Sequence, residues 1–257
     1  MEDDMKTIYA TTLLGLSILL FGCGGGGGGG SSSAPVGQTP PPTTPTVPPS
    51  VTGATGVWEG TFTDTGTYAV IGLIRGGQAR IFSAQEGVLY EGPVTVNGTN
   101  LTATLEVVDA VAGHYTSINL TGTVVTGGSI NGTYTDNAPG GVRNGSFSLT
   151  YDAVTERGAS LATTDANWSD SASSITLAID ATGDIAGADT AACVYNGTLA
   201  APDPAINVYD IAMDVSSCGI NGSYTGFAAV TDTAATNDTL LFVASTATMV
   251  IFGELNR

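Results

Sequence analysis

Residues 92–107 read Gly-Pro-Val-Thr-Val-Asn-Gly-Thr-Asn-Leu-Thr-Ala-Thr-Leu-Glu-Val. Two arms of alternating polar and apolar residues flank Asn97-Gly98-Thr99-Asn100. A period of two is what a strand with one buried face requires, because successive side chains point to opposite faces. Asn-Gly between such arms supplies the backbone freedom that a tight hairpin turn demands. The stretch therefore predicts an antiparallel hairpin. Outward from it, 118–135 predicts a second hairpin turning at Thr126-Gly127-Gly128, and 175–185 a third turning at Ala181-Thr182-Gly183. Further strands are expected at 57–62, 69–74, 79–82, 145–151, 208–215 and 240–243. No window after Gly53 sustains the 3.6-residue apolar period of a helix. The expectation is an all-β body of antiparallel meanders, closed into an up-and-down barrel or stacked as a sandwich, since both arrangements protect strand edges.

The body also reads as two related halves. Ile130-Asn131-Gly132-Thr133-Tyr134-Thr135 returns 90 positions later as Ile220-Asn221-Gly222-Ser223-Tyr224-Thr225. Each half has a Trp near its start, Trp58 and Trp168, and a Tyr-x-Gly, at Tyr90-Glu91-Gly92 and Tyr195-Asn196-Gly197. An internal duplication follows, with modules at 53–158 and 159–257. Trp-to-Ile spacing is 72 in the first half and 52 in the second, which predicts an extra hairpin in the first. In the repeated motif Ile and Tyr share a strand face with Gly between them, leaving room for an aromatic ring. Trp58 and Trp168 are the expected occupants, beside Tyr134 and Tyr224. Gly56-Val57-Trp58 resembles the Gly-x-Trp opening of lipocalin-like barrels, which implies a Trp closing the barrel floor.

Ahead of the body, 8–21 is an uncharged apolar run of 14 residues, against roughly 20 needed to span a bilayer as a helix. It reads as the core of a signal peptide, 1–22, whose basic start is best supplied by Met5-Lys6. Leu20-Phe21-Gly22-Cys23 then resembles the bacterial lipobox, with Leu at −3, a small residue at −1, and Phe21 where a small residue is more usual. The resemblance implies a lipoprotein carrying acyl chains such as palmitate on Cys23, and more than one chain makes anchoring stable. Gly24 after the Cys resembles cargo for the outer membrane of Gram-negative bacteria. Residues 24–52 are an uncharged Gly/Ser then Pro/Thr stretch, expected to be a disordered tether reaching up to ~90 Å. Poly-Gly behind the lipid Cys resembles surface-exposed lipoproteins of the transferrin-binding and factor-H-binding types. That likeness implies display at the cell surface, the periplasmic face being the alternative.

After Cys23 the chain has 5 basic and 20 acidic residues. Residues 53–158 carry 4 and 9 of these, and 159–257 carry 1 and 11. Such a charge repels nucleic acid, so DNA and RNA are excluded as partners. Cys193 and Cys218, the cysteines left once Cys23 is acylated, are expected on strands and joined in a disulfide, because an exported chain folds in an oxidising compartment.

Catalytic equipment is sparse. The one histidine, His114, is placed in a polar connection and reads as solvated. No Gly-x-Ser-x-Gly elbow exists, and no Lys follows residue 6, which removes P-loop and Schiff-base chemistry. Asp180, Asp184 and Asp189 around a Gly-rich turn offer oxygen ligands for calcium, but not at EF-hand spacing, and a solvated turn is the preferred reading. Asn97-Gly98-Thr99 and Asn221-Gly222-Ser223 match glycosylation acceptors and are read as Asn-Gly turns. No cofactor is expected. The leading expectation is a non-catalytic, membrane-anchored binding module for an unspecified protein or small molecule. The alternatives are an accessory subunit of an envelope assembly, marked by an exposed apolar patch, and a glycan hydrolase. The hydrolase would be marked by carboxylates converging in a cleft with a raised pKa.

Overall fold

The computed structural model describes residues 53–110, 113–137, 142–170 and 175–257. The signal peptide, Cys23 and the tether lie outside the described residues. Two closed antiparallel barrels of eight strands each follow one another along the chain. The first comprises β1 (Gly56–Thr63), β2 (Thr67–Arg75), β3 (Gln78–Ser83), β4 (Val88–Asn97), β5 (Asn100–Asp109), β6 (Gly113–Val125), β7 (Ser129–Asp136) and β8 (Arg143–Asp152). The second comprises β9 (Ala166–Asp170), β10 (Ile175–Ile179), β11 (Asp184–Ala188), β12 (Val194–Ala200), β13 (Tyr209–Ser216), β14 (Gly222–Thr231), β15 (Thr239–Ser245) and β16 (Val250–Asn256). In each barrel consecutive strands pair, and the last returns to the first, β8 on β1 and β16 on β9. A 3-10 turn, Ala153–Arg157, and one helical turn, Leu161–Thr164, join them.

The hairpins predicted from alternation are present. Gly98, at φ 61°, and Thr99 form the two-residue link between β4 and β5, where Asn97 pairs with Asn100. Inward positions fill the first barrel with Trp58, Phe62, Leu105, Ile118, Ile130 and Leu149, and the second with Trp168, Leu177, Tyr209, Tyr224 and Phe242. Closing a small barrel bends its strands sharply, and glycine absorbs that bend. Gly122 and Gly132 face one another across β6 and β7. A Cβ on Gly132 would lie 2.2 Å from the Thr121 carbonyl oxygen and 2.7 Å from the Phe147 ring. Phe147 thus occupies the space that side chains there would fill.

Three expectations about the two halves need correction. Each barrel has eight strands, so the first has no extra hairpin. The spacing differs because Ile130 lies on the seventh strand of its barrel and Ile220 just before the sixth of the other, and because β2, β4 and β5, with 9, 10 and 10 residues, are longer than their counterparts β10, β12 and β13, with 5, 7 and 8. The repeated Ile-Asn-Gly motif does not occupy equivalent strands. Its first copy lies within β7, the seventh strand of its barrel, while Ile220 and Asn221 precede β14, the sixth strand of the other. Nor does either Trp sit beside its Tyr. Trp58 packs edge-on to Tyr151 at 5.2 Å, and Tyr134 stacks on Phe62 at 5.3 Å. Trp168 lies under Arg257, and the Tyr224 hydroxyl donates to the Ile220 carbonyl at 2.8 Å. Asn-Gly serves equally as a turn and as a gap beneath a ring, so the motif is a recurring solution for barrels and not an aligned position.

Other marks of the two halves do align. Trp58 and Trp168 lie on the first strand of each barrel, fully buried. Each indole N–H donates to the carbonyl four residues earlier, Ala54 at 2.8 Å and Thr164 at 2.9 Å. Tyr90-x-Gly92 and Tyr195-x-Gly197 both fall on the fourth strand.

Cys193 and Cys218 are bonded, with Cα atoms 4.8 Å apart. Both lie just beyond strand ends and not on strands, Cys193 before β12 and Cys218 after β13. The bridge closes a loop of 25 positions, which the chain-entropy model values at about 3 kcal/mol. Denaturation with and without reductant should differ by about that amount. A double Cys193→Ala, Cys218→Ala variant should unfold at the same denaturant concentration in both conditions.

Candidate functional site

The barrels are fused by a shared apolar layer. Val57, Leu73, Phe82, Leu89 and Val108 on the outside of the first barrel pack with Val208, Phe227, Ala229, Leu241 and Val243 of the second. Phe82 and Phe252 meet ring on ring at 3.9 Å between centroids. This explains why β15 is buried at every position: Leu240, Phe242 and Ala244 enter its own barrel while Leu241 and Val243 face the other.

Charges that the interface encloses are compensated. Arg75 pairs with Asp210 and lies 5.3 Å from the centroid of Phe227. Arg80 pairs with Glu91, and the Ser245 hydroxyl donates to Glu91 at 2.6 Å. Burial of its guanidinium holds Arg80 below the usual arginine pKa. Asn207 ties the connection to the second barrel: its side-chain amide donates to the carbonyls of Val154 at 3.1 Å and Val230 at 2.6 Å, and accepts from the Val230 N–H.

Where the layer parts, a cleft of about 430 Å³ opens between the barrels. Val57, Ile71, Val154 and Leu241 form its apolar floor. Glu59 from β1, Asp152 from the end of β8 and Glu254 from β16 stand around it, and Thr231, Thr233 and Thr239 supply hydroxyls along one wall. Alternation explains these positions, since Glu59 and Glu254 face outward beside the inward Trp58 and Leu255. Partial loss of hydration raises the Glu59 pKa above the usual glutamate value, and the negative charges of Asp152 and Glu254 raise it further.

The cleft's own cation is engaged. Both terminal nitrogens of Arg157 donate to the Asp232 carboxylate at 2.5 Å, and one also donates to Asn237 at 3.3 Å. That pairing raises the Arg157 pKa and lowers that of Asp232. Asp238 braces the adjoining loop by accepting from the backbone N–H groups of Thr233, Ala234 and Ala235, which holds its carboxyl well below the usual aspartate range. The wall is preorganised.

The candidate calcium ligands do not converge. Asp180 accepts from the Thr182 hydroxyl at 2.6 Å and the Thr182 N–H at 2.8 Å, closing the β10–β11 turn; these bonds hold its pKa below the usual aspartate value. Asp184 opens β11, whereas Asp189 lies past the strand's other end, accepting from the Cys193 N–H and the Tyr195 hydroxyl. Among the described residues no group of three or more His, Cys, Asp or Glu is arranged to hold a metal ion. His114 lies on β6 and not in a connection; it is exposed and in hydrogen-bond contact with Glu106 on β5. The Asn97 acceptor motif forms the β4–β5 turn, and Asn221 caps the β13–β14 connection by accepting from the Cys218 N–H at 3.0 Å.

Glu59, Asp152 and Glu254 escaped the sequence reading because 195 positions separate the outer two and no motif joins them. No protein-family model, curated protein or solved structure matches this chain.

Proposed function

We propose that the chain is an exported lipoprotein, held in the outer membrane by acyl chains on Cys23 and presenting its double barrel as a non-catalytic interaction module at the cell surface. The observation that supports this reading most is the cleft. It is built jointly by both barrels, it is rigidly walled, and it places apolar floor beside unpaired charge, the combination that recognition sites use. The anchoring half of the proposal is tested by Cys23→Ala. Fatty-acid labelling should be abolished and the chain should leave the membrane fraction; undiminished labelling refutes it. Display is tested by protease treatment of intact cells, which should degrade the wild-type protein.

A glycan hydrolase is the second reading, favoured by the raised Glu59 beside two other carboxylates. Against it, none of the described residues lining the cleft is aromatic, so among them a sugar ring has no stacking platform. Hydrolysis of a glycan that disappears in Glu59→Gln would establish it. The accessory-subunit alternative calls for an apolar docking patch. Among the described residues the large exposed apolar side chains are Tyr115 and Val125 at the two ends of β6, Val142 just before β8 and Val194 on β12.

A further inference from the structure

We propose that the cleft between the barrels docks a basic segment of a partner protein, seating the aliphatic stem of a Lys or Arg on Val57, Ile71, Val154 and Leu241 and its cation among Glu59, Asp152 and Glu254. This rests on reading the double barrel as an interaction module and assigns the chemistry of what it binds.

One interface treats its charges in two ways. Where the barrels close on each other, each carboxylate has its cation: Asp210 has Arg75, and Glu91 has Arg80. Where they part, Glu59 and Glu254 form no ion pair among the described residues, and Arg157 is committed to Asp232. Barrel packing brings these like charges together against their repulsion. The sign of the resulting linkage is definite. Folding raises the Glu59 pKa, so its proton is held more tightly in the folded chain, and stability falls as pH rises from the ordinary glutamate value through the raised one. At neutral pH the free cleft is a destabilised arrangement that a cation would relieve.

The floor selects the kind of cation. Four aliphatic side chains offer nothing to a hydrated metal ion, whereas they match the methylene stem of Lys or Arg. The Thr231 hydroxyl suits the polar groups of a peptide backbone, while those of Thr233 and Thr239 are already bonded to Asp238 and Asn256. At about 430 Å³ the cleft exceeds a single side chain and favours a segment over a lone amine.

The test titrates the full chain with hexalysine by calorimetry near physiological ionic strength, where surface attraction is screened beyond roughly 8 Å. Saturable one-to-one binding is expected. Glu59→Gln and Glu254→Gln should each weaken it about tenfold, and Glu59→Gln should also raise the thermal midpoint of the free protein. The opposite directions of these two effects separate a binding role from damage to the fold. Glu106→Gln removes the same charge from an exposed position on β5, outside the cleft, and should leave binding unchanged. Equal weakening by Glu106→Gln would reduce the effect to general attraction and overturn the proposal. So would spermidine binding as tightly as hexalysine, or calcium displacing hexalysine from the site. Absence of hexalysine binding overturns this inference alone; the interaction-module reading stands or falls separately, on Cys23→Ala and surface exposure.

Discussion

Replacing Trp58 or Trp168 with alanine lowers unfolding free energy by about 3–5 kcal/mol, the range for truncating a large aromatic in a packed core. Both indoles are fully buried, so nothing outside can refill the space. Each replacement also strands a carbonyl, Ala54 or Thr164, that now accepts the indole N–H. Trp→Phe at either site keeps most of the bulk but leaves that acceptor unpaired, and a smaller loss of about 1–3 kcal/mol is expected. The measurement is informative because the chain has only two tryptophans, one per barrel. In each variant the surviving tryptophan reports the opposite barrel in a denaturant titration. Since the barrels share an apolar layer, its transition should also move to lower denaturant. A loss below about 1 kcal/mol at either position would contradict its core role.

Ending the chain after Gly158 gives the second large effect. The first barrel keeps its complete ladder, including the β8–β1 closure, and its own core. It loses the partner of Val57, Leu73, Phe82, Leu89 and Val108, which become a continuous apolar surface on one side. The fragment should therefore keep a β-type far-ultraviolet spectrum while self-associating and binding a hydrophobic dye. Leu73→Thr with Phe82→Thr should restore a monomer, because both point away from the fragment's own core and threonine suits a strand facing water. A monodisperse, dye-negative fragment without those changes would show that the layer is dispensable.

The strand pattern was legible because the barrels' free faces alternate cleanly. β5 reads polar and apolar by turns from Asn100 to Val107, with Leu101, Ala103, Leu105 and Val107 inward. The fusion was not legible. A strand buried on both faces loses its alternation, and Leu240 to Val243 carries no mark of which neighbour each side chain meets. Tyr-x-Gly pointed correctly to the fourth strands, where Gly92 and Gly197 lie so close to the next strand that a Cβ would meet a carbonyl at 2.7 or 2.1 Å. Ile-Asn-Gly pointed wrongly, since glycine has two independent uses in a barrel. The cleft is assembled from β1, β2, the end of β8 and β14–β16, so only the docking of the barrels creates it.

β15 has a bearing on how the molecule comes to be made. Thr239–Ser245 is seven uncharged residues of high strand propensity, buried throughout in the finished protein. Such a segment, left waiting, pairs with copies of itself and aggregates. Synthesis runs from the N-terminus, so the first barrel is complete, with its apolar side prepared, before β15 exists. Asp232 and Asp238 ahead of the strand and Glu254 behind it bracket the segment with charge. A permuted chain with 159–257 in front of 53–158 would specify the same strands yet release its stickiest one with no surface ready to receive it.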